Sequence, residues 1–216
     1  MQSKPDVAKI SPDRPSSPEP HGSWRDGRIR IELVATVAAL ALTLILFSRF
    51  ILFVESRRGV VLPDPILASF QARDFTVPIF IIIDGAILLG LVTLARYPRA
   101  FLLMLRSYTL LMLVRIAVMY TIPLEPPVGM ILLVDPIYSV GPGTVITRDL
   151  FFSGHTATMF LLFLTARRAW VRNIFLLCTL SMAVLLLWQH CHYSVDVFSA
   201  PFFAYTCYRA TAKITG

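Results

Sequence analysis

Charge is what this sequence has least of. Only 15% of its 216 residues are Asp, Glu, Lys or Arg, while 56% are hydrophobic; a soluble domain carries roughly a quarter charged residues. The shortfall lies in long uncharged runs, which excludes an ordinary water-soluble domain and reads as a membrane protein. Cysteine is scarce as well. Cys178, Cys191 and Cys207 are an odd number in or beside apolar segments, so they supply no disulfide framework and identify no compartment. No signal peptide is evident, because about thirty mostly polar residues precede the first apolar run. A net charge of +7 would suit a nucleic-acid binder. The basic residues fall between the apolar runs, however, where positive charge orients helices, so no nucleic-acid partner is expected. No internal repeat is found.

What remains is six apolar runs, and they predict an all-α membrane protein with six transmembrane helices. Residues 1–30, rich in Pro, Ser and charge, read as a disordered cytoplasmic tail and 31–216 as the transmembrane domain. The first run, Leu33 to Val54, is interrupted only by Ser48 and Arg49, and an arginine there can snorkel to the interface. A loop from Glu55 to about Thr76 carries Leu62-Pro63-Asp64-Pro65. The second run, Val77 to Ala95, contains Asp84, and the third, Ala100 to Ile122, contains Arg106 and Arg115. Pro123 to Asp149 holds Pro126, Pro127, Pro136 and Pro142 and cannot form one continuous helix. Within it, Val128 to Val134 is apolar enough to dip into the interface and too short to span. The last three runs are Phe151 to Arg167-Arg168, Asn173 to Gln189, and Tyr193 to Tyr208.

Lysine and arginine bias sets the expected orientation. Arg25, Arg28, Arg30, Arg96, Arg99, Arg167, Arg168, Arg172, Arg209 and Lys213 fall on one side, against Arg57, Arg58, Arg73 and Arg148 on the other. The richer side is cytoplasmic, so both termini are expected there. The starts of the fourth and sixth helices then face the opposite leaflet.

Two polar clusters sit at those starts. In Ser153-Gly154-His155-Thr156, a helix N-terminus offers unpaired N–H groups and partial positive charge to a phosphate. Ser153 adds a hydroxyl, Gly154 permits close backbone approach, and His155 stands beside as acid or base. The same tetrapeptide also reads as an ordinary N-cap serine with a histidine facing the interface. In the second cluster, His192 and Asp196 are four apart, one helical face. A carboxylate on the far ring nitrogen would fix the tautomer and make the other nitrogen a better nucleophile or base. An aspartate one turn into a span is costly and points to function; the alternative is that Asp196 only satisfies a buried histidine. His190-Cys191-His192 has no metal-like spacing and no further ligand cluster, so no metal is expected. Arg115 and Asp84 lie at similar depth if the second and third helices are antiparallel neighbours. They either pair, or Arg115 holds a phosphate oxygen with its fork.

At these motifs the chain resembles a known family. Arg148-Asp149-Leu150-Phe151-Phe152-Ser153-Gly154-His155-Thr156 and His190-Cys191-His192-Tyr193-Ser194-Val195-Asp196-Val197 are similar to the two long motifs of sphingomyelin synthases. Arg115 through Pro123, and Leu62-Pro63-Asp64, resemble the motifs of their third helix and first loop. The broader kinship is to the PAP2 lipid phosphatases, whose Lys-x6-Arg-Pro motif is absent here and whose arginine is replaced by Leu186.

The resemblance implies a six-helix PAP2/sphingomyelin synthase-like bundle and a metal-independent lipid phosphotransferase without a cofactor. His192, aided by Asp196, would attack the phosphorus of a phosphatidylcholine- or phosphatidylethanolamine-class donor. His155 would protonate the departing diacylglycerol, and ceramide, diacylglycerol or another lipid alcohol would accept the headgroup. Asp149 joins the catalytic set by the same resemblance, and Ser153, Gly154, Arg115 and Tyr193 the substrate-binding set. Water as acceptor would make the protein a phosphatase or phospholipase C-like hydrolase. A non-catalytic transporter or scaffold is a further alternative, and intact His155, His192 and Asp196 weigh against it.

Overall fold

A computed structural model describes residues 23–133 and 146–215. Six α-helices follow one another, α1 Gly27–Ser56, α2 Thr76–Leu94, α3 Pro98–Thr121, α4 Gly154–Thr165, α5 Ala169–Trp188 and α6 Ser194–Thr215, with one 3-10 turn at Leu67–Ser69. The expected order of helices is present. The expectation for residues 1–22 lies outside the described residues, but helix is already formed at Gly27, where Asp26 caps α1 by accepting the Arg28 N–H at 2.9 Å. Just before it, the Trp24 indole donates to the Ala95 carbonyl at 2.7 Å. The segment just ahead of the first run is thus anchored to the end of α2.

Four helices, α1, α2, α3 and α5, are long and apolar enough to cross a membrane. Their large side chains are widely exposed, for example Ile31, Leu42, Ile81 and Leu177. That is the pattern of a surface meeting hydrocarbon rather than water. The six-span expectation needs amendment at α4. It has 12 residues, about 18 Å at 1.5 Å per residue, against a hydrocarbon core of about 30 Å. Ala157, Met159, Leu161 and Leu162 are buried, and α4 packs against α2, α3, α5 and α6. Its apolar run is therefore the centre of the bundle, not a lipid-facing span. Phe151 to Ser153, read as the start of that run, are non-helical. α6 has the length, 22 residues, but carries Asp196, Pro201 and Lys213 within it and is not among the four helices apolar enough to cross.

The short α4 decides where polar groups can meet. The Ser153 N–H donates to the Asp196 carbonyl at 3.1 Å, setting the start of α4 beside the first turn of α6. Arg167 and Arg168 follow the other end of α4. If those arginines mark the basic membrane face, the start of α4 lies recessed by roughly 12 Å below the other face.

The loops around that recess are tied together. Val60 and Leu124 form a parallel bridge, and at Gly59 any Cβ would lie 2.5 Å from the Leu124 carbonyl carbon, so only glycine allows the two loops this close. The fully buried Gln189 side chain accepts the Phe75 N–H at 2.8 Å and donates to Thr76 Oγ1 at 2.9 Å, joining the end of α5 to the start of α2. Of the proline-rich segment, residues 134–145 lie outside the described residues. Before them, the Ile131 N–H donates to the Gln189 carbonyl at 3.1 Å, and Val128 is exposed.

Candidate active site

Arg115 enters the recess from α3 and is 4% exposed. Its Nη2 donates to Asp149 Oδ1 at 2.6 Å and its Nε to the Phe152 carbonyl at 3.1 Å, with the guanidinium 5.2 Å from the Phe47 ring centroid. The pairing with Asp84 does not occur. Asp84 is exposed on α2, and α2 and α3 touch only slightly; α4 separates their faces. Arg115 instead anchors the segment leading into α4.

Its terminal atoms then lie over the start of that helix. A Cβ built at Gly154 would collide with Arg115 Nη1 and stand 2.8 Å from Cζ. In the structure the group that comes close to Gly154 is the Arg115 guanidinium. Nη1 makes no hydrogen bond among the described residues, so one arm of the fork remains for an anion near the helix N-terminus.

Ser153 is fully buried and caps α4. Its Oγ accepts the Thr156 N–H at 3.4 Å and donates to Thr156 Oγ1 at 3.2 Å. The N-cap reading of this serine is thus met in the structure. His155, one residue into α4, is half-buried and has a partner in the fold.

His192 is not on a helix. Gln189 to Tyr193 form a turn that passes through His190 at φ 56°, and α6 begins only at Ser194. The four-residue spacing still brings His192 and Asp196 together, by turn geometry rather than a shared helical face. His192 Nδ1 lies 3.4 Å from Asp196 Oδ2, and that same oxygen accepts the Tyr193 N–H at 3.0 Å. Asp196 is fully buried, and its Oδ1 and His192 Nδ1 have no hydrogen-bond partner among the described residues. Buried polar atoms rarely stay unsatisfied. His190 is turned elsewhere, with Nδ1 3.2 Å from the Val128 carbonyl. Burial pushes the Cys191 thiol between them up to about 12, which leaves it inert as a nucleophile. Among the described residues no three His, Cys, Asp or Glu side chains gather as metal ligands.

Tyr193, expected to bind substrate, is 1% exposed, and its hydroxyl donates to the Glu125 carbonyl at 3.0 Å and accepts the Leu62 N–H at 3.2 Å. It pins two loops to the start of α6. Asp64, from the motif that the sequence left without a role, does similar work. Its carboxylate accepts the Ser194 N–H at 2.7 Å and the Ser194 hydroxyl at 3.0 Å. Burial pushes the Asp64 carboxyl up, but the Ser194, Leu67 and Ile66 N–H groups outweigh it and hold it below the usual range.

A second tie was not foreseen. Arg148 Nη2 is 2.8 Å from Glu125 Oε2, its Nη1 donates to the Glu55 carbonyl at 2.6 Å, and the Glu55 carboxylate accepts the Thr147 N–H at 2.6 Å. The N–H of Gly59 and then Arg148 hold the Glu125 carboxyl below its usual range. Three residues about 20 to 90 apart in sequence thus fix Asp149 in place, and no spacing in the chain signals such a contact.

None of the curated proteins compared with the chain matches it. Residues 148–213, however, match the family model described as PAP2 superfamily C-terminal, a stretch that contains Asp149, Ser153, Gly154, His155, His192 and Asp196. That stretch is similar to the PAP2 superfamily C-terminal model, and four of the helices of this chain are long and apolar enough to cross a membrane.

Proposed function

We propose that the chain is a lipid headgroup phosphotransferase of sphingomyelin synthase-like type. One observation carries the reading, the buried Asp196 carboxylate 3.4 Å from His192 Nδ1, beside an α4 N-terminus overlaid by the Arg115 guanidinium. With Nδ1 facing the carboxylate, Nε2 is the nitrogen left to react.

In the first step His192 Nε2 attacks the phosphorus of a glycerophospholipid, and the bond from phosphorus to the diacylglycerol oxygen breaks. His155 gives its proton to that oxygen, and diacylglycerol leaves a phosphohistidine. Arg115 and the first N–H groups of α4 balance the charge on the phosphoryl oxygens. In the second step the hydroxyl of ceramide or another lipid alcohol attacks phosphorus and gives its proton to His155. The phosphorus–nitrogen bond breaks, and His192 is restored. Asp196 favours the charged imidazole formed on the way. Asp149 holds Arg115 in register at 2.6 Å. Its side chain is 31% exposed, which also leaves it accessible to substrate.

The site faces the non-cytoplasmic leaflet, with both termini in the cytoplasm. The support is that Arg28, Arg96, Arg99 and Arg167 gather at one end of the bundle, opposite the starts of α4 and α6. Reconstituted protein is to be given phosphatidylcholine or phosphatidylethanolamine with labelled ceramide and labelled diacylglycerol, and the products read by mass spectrometry. A headgroup on labelled ceramide or diacylglycerol supports the transferase. Release of diacylglycerol with free phospho-headgroup or phosphate, and no transfer to either acceptor, would replace it by the hydrolase. Neither product would leave a non-catalytic protein.

A further inference from the structure

At the end of the bundle away from His192, the structure has a half-open pocket of about 570 Å³ that the proposed chemistry does not use. Arg28 of α1, Arg96 and Arg99 flanking Pro98, Arg106 of α3 and Arg167 after α4 all line it. Two carboxylates face the same space and are already engaged. Glu32 is 2.7 Å from Arg106 Nη2, and Asp26 caps its own helix by accepting the Arg28 N–H. The side chains of Arg28, Arg96 and Arg99 have no hydrogen bond or ion pair among the described residues. The first turn of α3 lies in the same wall, and Tyr97 provides it with no side-chain cap.

Orientation of helices by positive charge accounts for arginines at this end. It does not account for their convergence, from four separate segments, on one half-open pocket. Like charges so placed repel unless an anion lies between them. Guanidinium forks and free N–H groups at a helix start are the donors that phosphate oxygens accept best.

We infer that this pocket is a second, non-catalytic anion site, which takes a phosphate group on the basic side of the membrane. The phosphate comes either from the headgroup of an anionic lipid or from a soluble phosphate ester, and the two sources are separable by experiment.

The full chain is to be placed in phosphatidylcholine nanodiscs doped with phosphatidylglycerol, and bound lipid counted by native mass spectrometry. Thermal protection by glycerol phosphate is measured in parallel. Enrichment of phosphatidylglycerol over phosphatidylcholine assigns a lipid headgroup; protection by glycerol phosphate without such enrichment assigns a soluble ester. In either case Arg96→Gln with Arg99→Gln should weaken binding about 25-fold, taking roughly fivefold per arginine near an anionic group. Arg58→Gln at the opposite end should leave it unchanged. If the double variant unfolds in neutral lipid, Arg99→Gln alone should give about a fivefold loss. The inference fails if neither phosphate probe binds above the neutral background, or if Arg58→Gln weakens binding as much as the pair. Binding is read without turnover, so an inactive enzyme would leave this result standing.

Discussion

Replacing Gly154 by alanine tests whether Arg115 really closes over the start of α4. Alanine favours a helix over glycine, by up to about 1 kcal/mol, so in an open site the change should stabilise. Here the new methyl would collide with Nη1 and lie 2.8 Å from Cζ of a guanidinium held by Asp149 and the Phe152 carbonyl. Inserting a methyl into such a contact costs about 1–3 kcal/mol. The net effect of Gly154→Ala should be a loss of roughly 0–2.5 kcal/mol, from those two ranges. Turnover should fall too, because the guanidinium must leave the phosphate position. Arg115→Met keeps the apolar stem and removes the fork, and in that background Gly154→Ala should be neutral or stabilising. The coupling between the two sites is then about 1–3 kcal/mol. Reversible unfolding of the four proteins in mixed micelles measures it. Equal costs of Gly154→Ala in both backgrounds would refute the overlay of Arg115 on α4.

Other expectations are more direct. His192→Ala should abolish turnover, since the covalent route loses its nucleophile with the imidazole, while Asp196→Asn should cost about 10²–10⁴-fold; assays in liposomes decide, and near wild-type activity in either removes His192 from its role. Tyr193→Phe should lower stability by about 1–2 kcal/mol, by leaving the Leu62 N–H and Glu125 carbonyl without partners, and should leave the substrate KM unchanged if the tyrosine only pins loops. Asp64 and Glu125 both have folded-state values below the ordinary one, so their stabilisation is present above an ordinary carboxylate value of about 4 and is lost as pH falls through the lower folded values. Acid unfolding curves should show that loss, and Asp64→Asn should flatten it while destabilising the protein at neutral pH. Sidedness is read with single cysteines at Val128 and Arg168 in a background lacking Cys178, Cys191 and Cys207; an impermeant maleimide on intact cells should label the first and spare the second, and the reverse pattern would invert the orientation.

The sequence by itself determined the number and order of the helices, because runs of apolar residues broken by arginine and proline have few other uses. It also marked the polar residues at the starts of α4 and α6, since polar groups at such positions are costly and stand out against an apolar background. Spacing brought His192 and Asp196 together correctly, though through a turn at His190 that local periodicity does not reveal. Only the tertiary structure decided which charges meet. Arg115 joins Asp149 rather than Asp84, and Arg148 joins Glu55 and Glu125. Ion pairs across loops depend on which helices are neighbours, and apolar composition says nothing of that. It also decided that α4 is a short core helix. A run enclosed by four neighbours and a run enclosed by lipid need the same apolar side chains, and only packing tells them apart.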